Sequence, residues 1–437
     1  MLFFWRGIWY TKNLERRFRR CAAKRNQNAD TSNDLRDHHI SRGKTRLEKA
    51  GGFILRYRGT YIQVDLGAIA MNTRTLRQAI APTPHMMAVV KANAYGHGLI
   101  PVAKTALKNG ADHLGVAIPE EGEALRKAGI DAPILVLGPV GAQGAEASVR
   151  WGLIQTVFDR ERVRMLEDAA AKMGLTAQMH LKIDTGMGRI GVRTKEELLA
   201  VLSEISACPH VRLTGAFTHF ADADGETEDY SLKQIAAFEE MRALLPKDIL
   251  FHAAASAAGV RYPQARYQMV RQGISLYGCP PVPESPKLVP ALSWHTEVAY
   301  VKTLPPGASV SYGRTYTADR ERRIATLPVG YGDGYHRALS NKAYVLIGGK
   351  RCPVTGRVCM DQIMADVSGL PPEECGIGAP AVLLGRQGNE EITAEELGAW
   401  AGTISYEMLL APTARVPVIY IEPAGETYAG SSEESEK

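Results

Sequence analysis

The chain has 437 residues, 45% hydrophobic and 23% charged, an ordinary globular composition long enough for two domains or for a barrel with a smaller module. Its formal charge of +5 is uneven: residues 1–50 hold 13 Lys/Arg against 5 Asp/Glu, while the remaining 387 hold 39 against 42, so the body is weakly acidic and nucleic acid is excluded as its partner. Cys21, Cys208, Cys279, Cys352, Cys359 and Cys375 form no CxxC pair and no zinc spacing, which fits a reducing, cytoplasmic setting without a metal site, and no apolar stretch is long enough to span a bilayer.

Residues 1–57 read as a basic, disordered leader or an over-early start. Phe3, Phe4, Trp5 and Trp9 lie beside arginines, which leaves membrane-surface contact as the alternative. An apolar start interrupted by Arg6 and followed by basic residues reverses the order of a secretory signal.

From about residue 60 to 290, short apolar runs alternate with amphipathic segments. The runs are "AVV" ending before Lys91, "HLGVAI" (113–118), "PILVLG" (133–138), "LIQTVF" (153–158), "MHLKID" (179–184), "LTGAFTHF" (213–220), "ILFHAAAS" (249–256) and "QMVRQGISLYG" (268–278). Helical patterns cover Ala68–Ile80, Glu120–Ala128, Arg160–Ala171, Lys195–Ile205 and Leu232–Leu245, among others. Eight strand-like runs joined by seven helical connections predict an α/β fold, a (β/α)8 barrel over 58–290. The segment "PPVPESPKLVP", with five prolines, reads as a linker. Alternating apolar and polar residues with turns at "PPG", "GDG" and "IGGK" then predict a mostly antiparallel β domain over 291–425, with a short helix at Ala394–Ala401. Residues 426–437 read as a disordered, solvated tail.

A barrel gathers its chemistry at the C-terminal ends of its strands. Lys91 ends the first run, Lys182 and Asp184 the fifth, His219 the sixth, and His252 and Ser256 the seventh. Arg189 follows "TGMG", and Arg271 opens "RQGISLYG". Each alone has an ordinary structural explanation; Asp184, for instance, caps or pairs with a neighbour. Together an amine, arginines, histidines and glycine-bearing loops suit an aldehyde cofactor that carries a phosphate. The amine forms a Schiff base with the aldehyde, and backbone N–H groups around Ser256, Gly273 and Ile274 hold the phosphate. Arg271 against a pyridine nitrogen keeps the ring unprotonated.

The motifs "AVVKANAYGHG", "LKIDTGMGRIGV", "FTHFADAD", "RQGISLYG", "VSYGRTYTA", "PVGYGDGY", "GRVCMDQIMADV" and "TISYEML…RVPV" resemble those of alanine racemase, in this order, from about Arg58 to Tyr420. The resemblance implies a fold type III pyridoxal 5'-phosphate enzyme that interconverts L- and D-alanine with one base on each face and supplies D-alanine for peptidoglycan. It implies that Lys91 holds the cofactor and moves the proton on the D side, and that Tyr312 is the base on the L side. It places His219 beside that tyrosine with Arg271 behind. Arg189 matches a contact to cofactor and substrate carboxylate, and Met360 a backbone N–H to that carboxylate. Tyr95, Ser256, Gly273, Ile274 and Tyr406 match the phosphate cradle, and Lys182 a lysine carbamylated in many members. A head-to-tail homodimer with shared sites is implied.

One residue departs from the pattern: Ala255 stands where the family usually has asparagine, which opens substrate preference. A serine or broad-specificity racemase is the alternative; the former usually carries a membrane domain and the latter is usually exported. A basic-amino-acid decarboxylase of the same fold type also pairs this barrel with a β domain, but "SYGRTY" and "VCMDQ" favour the racemase. Non-catalytic cofactor binders of this type are barrels alone.

Overall fold

A computed structural model of the protein describes residues 58–422. The expectations for the leader and the tail lie outside the described residues. No helix among the described residues is long and apolar enough to cross a membrane.

The first strand, β1 (Tyr61–Asp65), alternates half-buried and buried residues, the pattern of a sheet with one wet face. It pairs antiparallel with Leu292–Glu297 and parallel with Val418–Ile421. It is therefore a strand of the second domain's sheet, although 58–290 as a whole was expected to be barrel. Asp65 then caps the helix Leu66–Ala79, its Oδ1 accepting from the Ala68 N–H at 3.0 Å.

Eight parallel strands follow: β2 (His85–Val89), β3 (His113–Val116), β4 (Ile134–Val136), β5 (Ile154–Val157), β6 (Ala177–Lys182), β7 (Val211–Phe217), β8 (Leu250–His252) and β9 (Met269–Gln272). Their order is β8-β7-β6-β5-β4-β3-β2-β9. β8 and β9 meet along a seam where the Gln268 N–H donates to Phe251 O at 3.2 Å and the Arg271 N–H to Ala254 O at 3.1 Å. The result is the expected nearly closed (β/α)8 barrel. β4, β5 and β9 are buried at every residue, as strands covered on both faces must be. Every predicted run overlaps its strand: five contain it whole, while β2, β6 and β7 begin two or three residues ahead of the run, and the run ends turn into rim loops.

Crossover helices cover the barrel, and local signals set their ends. Thr194 and Glu197 form a capping box on Lys195–Ala207, and Asp159 caps Arg160–Met173, which ends at Gly174 with φ +65°. The proline segment 280–290 is pinned rather than loose. Asn72, buried in the first helix, donates to Val289 O at 2.8 Å and Leu276 O at 3.1 Å and accepts from the Val289 N–H at 2.8 Å.

The second domain holds the seven-stranded sheet that β1 enters, a three-stranded antiparallel sheet and a two-stranded hairpin. The β1 pairing with Val418–Ile421 is parallel, and the other pairings in these sheets are antiparallel. The helix Ala394–Ala401 is present as expected, and a further helix, Ser405–Leu410, carries Tyr406 toward the barrel mouth.

Candidate active site

Lys91 stands just past the end of β2. The chain beyond it winds the wrong way: Ala92, Asn93, Ala94 and Tyr95 have φ of 53°, 53°, 53° and 52°. A left-handed L-residue costs about 1–2 kcal/mol, and only Asn93 belongs to a type that visits this region readily. Four in succession therefore need on the order of 4–8 kcal/mol of compensation. Hydrogen bonds supply part of it. The Ala94 N–H donates to Val90 O at 2.8 Å, and the Leu99 N–H to Asn93 Oδ1 at 2.8 Å. Glu121, on the next crossover helix, accepts the Ala92 N–H at 2.6 Å through Oε1 and the Ala117 N–H at 2.8 Å through Oε2. Sequence reasoning missed Glu121, because an acid in a helix's first turn is commonplace and no spacing ties it to Lys91.

The turn brings Tyr95 back beside the barrel mouth. A Cβ at Gly273 would lie 2.9 Å from the Tyr95 hydroxyl, so glycine lets backbone and phenol close together there. The Gly273 N–H donates to Ser256 Oγ at 3.0 Å.

A cavity of about 530 Å³ opens at this rim, lined by Lys91, Tyr95, Lys182, Arg189, His219, Ser256, Arg271, Gly273, Ile274 and Tyr406 among others. These are the predicted site residues apart from Tyr312 and Met360. Its lining carries two lysines and two arginines against one carboxylate, Asp224. Such a wall selects an anionic occupant. An amine at one side and a cluster of hydroxyls and backbone at another match an aldehyde that bears a phosphate, so the residues present fit pyridoxal phosphate.

Arg271 forms the floor. It is buried and donates through Nη1 to His252 Nδ1 at 2.9 Å and through Nη2 to His219 Nδ1 at 3.1 Å, Thr218 O at 2.9 Å and Ala253 O at 2.8 Å. Burial, then Arg189, pulls its pKa down to about 9, which leaves it cationic at neutral pH. A guanidinium only donates, so both histidines accept at Nδ1 and carry their protons on Nε2. His252 Nε2 in turn faces His180 Nδ1 at 3.0 Å. Space for His180 comes from Gly215 on β7, where a Cβ would lie 2.6 Å from His180 Nε2. Burial first, then the cations Arg271, Lys182, Arg189 and Lys91, pushes His219 down to about 2. It is thus a neutral ring with an Nε2–H to donate.

Burial also lowers the Lys91 amine, with Arg189 and Arg271 adding to the effect and Glu121 opposing it. A lowered amine is a better nucleophile at neutral pH. Lys182 is pulled down to about 7 by burial and Arg271, against Asp184, with Arg189 adding; its Nζ donates to Ile183 O at 3.0 Å. Asp184 shapes the "TGMG" loop, accepting the N–H groups of Gly186 at 3.1 Å and Gly188 at 3.0 Å.

Tyr312 and Met360 are not brought to this cavity. They line a second pocket with Ser311, Cys359, Asp361 and Gln362 and are 69% and 53% exposed. Ser311, at φ +66°, precedes Tyr312 and donates through Oγ to Arg357 O at 2.5 Å. The "GYGDGY" turn holds the Met360 loop: Tyr331 and Gly332 donate their N–H groups to Cys359 O at 3.0 Å and Met360 O at 2.8 Å. Asp333 anchors the turn, fully buried, pairing with Arg58 at 2.8 Å and Arg415 at 3.5 Å. Arg415 also pairs with Asp361 at 2.8 Å. Read alone, "GYGDGY" looks like a common turn; only the fold shows what it supports.

Residues 64–281 match the family described as alanine racemase, N-terminal domain, and residues 291–420 the one described as alanine racemase, C-terminal domain. The chain belongs to the alanine racemase family. It is 48% identical to an alanine racemase of Symbiobacterium thermophilum over 377 residues, 85% of this chain and 98% of that protein. A crystal structure of alanine racemase from Bacillus anthracis with bound L-Ala-P superposes with a TM-score of 0.78 at 40% identity, covering 84% of this chain and 95% of that one. A histidine racemase from Leuconostoc mesenteroides matches with a TM-score of 0.77 at 29% identity, over 85% of this chain and 100% of that one. Ala255, where the resemblance leads one to expect asparagine, lines the cavity, so its small side chain bears on the space available there.

Proposed function

We propose that this protein interconverts L- and D-alanine with pyridoxal phosphate bound in the barrel cavity, and that the active unit is a cytoplasmic homodimer supplying D-alanine for peptidoglycan. The observation that carries the reading is the cation-rich cavity with the Lys91 amine at one side and Tyr95, Ser256, Gly273, Ile274 and Tyr406 within it. When bound, the cofactor would supply an aldehyde for covalent attachment and an electron sink that acidifies the α-proton. Lys91 would hold it and exchange the proton on one face. Tyr312 from the second copy would serve the opposite face, because inversion needs a base on each side. His219, neutral and protonated on Nε2, would stabilise a phenolate oxygen placed against it. Arg189 and the Met360 backbone would take the substrate carboxylate, and Lys182 would carry a carbamate facing Arg189 and Arg271.

The test is incubation with pyridoxal phosphate and L-alanine in heavy water. Optical rotation should decay to zero while the α-proton resonance disappears. Protein that holds the cofactor at Lys91 yet leaves the α-proton of alanine intact refutes the reading. A second reading, a racemase of larger amino acids, is favoured by Ala255 at the cavity wall and the histidine racemase neighbour; the same assay with L-serine and L-histidine separates the two.

A further inference from the structure

Lys91 and Tyr95 are four residues apart, yet both line one cavity, the second beside Ser256 and Gly273. A right-handed turn would send the chain elsewhere, because handedness decides on which side of the strand axis the next residues emerge. The reach from amine to phenol is therefore set by the left-handed turn Ala92–Tyr95. Internal bonds close this turn: Gly96 N–H to Ala92 O at 3.1 Å, His97 N–H to Ala94 O at 3.0 Å and Gly98 N–H to Asn93 O at 2.9 Å. Those bonds do not reach its first two N–H groups. The Glu121 carboxylate takes these instead, from Ala92 at 2.6 Å and Asn93 at 3.4 Å, while its other oxygen takes the Ala117 N–H beyond β3. Glu121 sits in the first turn of the helix Pro119–Lys127, so the turn is tied to a rigid element and to the neighbouring rim loop at once.

We propose that Glu121 is a positioning residue that holds the left-handed turn and thereby sets the reach between the Lys91 amine and the Tyr95 hydroxyl. The proposal rests on the reading that pyridoxal phosphate is held by both. The carboxylate serves N–H groups at both of its oxygens; glutamine has one acceptor end, so its N–H2 must face either the Ala92 and Asn93 N–H groups or the Ala117 N–H, donor against donor, and the tie between the turn and the neighbouring rim loop is broken. A displaced Tyr95 loses the phosphate end and not the aldehyde end. Glu121→Gln therefore weakens pyridoxal phosphate more than pyridoxal, which has no phosphate.

The experiment measures dissociation constants of both compounds for cofactor-stripped wild type and Glu121→Gln by visible absorbance, with borohydride trapping at Lys91 and thermal unfolding alongside. Pyridoxal phosphate should weaken roughly tenfold or more, and pyridoxal by a much smaller factor. Ala92→Gly is the second variant. Ala92 is exposed, and glycine adopts its backbone conformation without steric cost, so adding it to Glu121→Gln should restore part of the lost affinity and keep the protein folded. A wild type that traps no cofactor at Lys91 overturns the functional reading and this proposal with it. A wild type that traps it, with equal losses for both compounds, no loss, or no recovery on adding Ala92→Gly, overturns the proposal alone.

Discussion

If each active site combines Lys91 of one copy with Tyr312 of another, two defective variants should repair each other. Within one chain Tyr312 is 69% exposed and lies with Met360 in a pocket that Lys91 does not line. Lys91→Ala should abolish racemisation and covalent attachment of the cofactor. Tyr312→Phe should impair α-proton removal from L-alanine while the cofactor still binds. In a dimer that contains one chain of each kind, one site receives Lys91 from one chain and Tyr312 from the other and is intact, while its mate lacks both. A purified mixed dimer should then show about half of the wild-type activity, and a randomly exchanged equal mixture about a quarter. The assay is co-expression with two affinity tags, sequential purification of the mixed dimer, and α-proton exchange of alanine in heavy water. If Lys91 and Tyr312 instead worked within one chain, every site in the mixed dimer would carry one lesion. A mixed dimer no more active than the better of the two homodimers would refute the shared-site reasoning.

Three further outcomes are expected. Lys182, held at about 7, is roughly half neutral at pH 7, where an ordinary lysine is almost wholly charged; labelled bicarbonate should give a carbamate carbon resonance at pH 8 that fades at pH 6 and is absent in Lys182→Arg. Because the native amine binds fewer protons than the unfolded one between pH ~7 and ~10.4, its penalty on stability shrinks as pH rises through that window. Arg271→Met leaves two carbonyls and two imidazole nitrogens without a donor; offset by a guanidinium that no longer needs desolvation, the loss should be about 3 kcal/mol in urea unfolding, and an unchanged midpoint would count against it. Asp333→Asn leaves Arg58 and Arg415 without their buried anion and should raise the KM for alanine, through the Met360 loop, with little change in pyridoxal phosphate affinity.

The barrel was legible because its strands are buried on both faces and leave continuous apolar runs, while its helices leave a 3.6-residue stripe. The expected bounds misplaced β1. "YIQVD" sits just ahead of the first helix and is not among the eight runs, and the expected barrel bounds of 58–290 simply took it in. Its partners are at Leu292–Glu297 and Val418–Ile421, more than two hundred residues away, and nothing local announces a pairing at that distance. The regular half-buried alternation of β1 sets it apart from strands such as β4, β5 and β9, which are buried at every residue.

The site divides in a similar way. Residues that end strands, such as Lys91, Lys182 and His219, could be placed on one rim from topology alone. Residues that act through backbone groups could not. Glu121 and Asp333 hold N–H groups and loops, and any acid in a helix's first turn or a glycine-rich turn looks alike in one dimension. The handedness of Ala92–Tyr95 is hidden more deeply still. "KANAY" has the composition of an ordinary helix, and intrinsic preference opposes the left-handed conformation at Ala92, Ala94 and Tyr95. What selects that conformation is the set of contacts assembled around it: Glu121 on one side, and on the other Gly96 and Gly98, where a Cβ would press within 2.4 Å of Leu409 O and 1.9 Å of the Tyr420 hydroxyl. Both of those neighbours belong to the second domain. By packing against Gly96 and Gly98 the β domain closes the far end of the turn that aims Tyr95, so the position of Tyr95 at the barrel cavity depends on the domain that follows the barrel, and on the proposed function the grip on the cofactor would depend on it too.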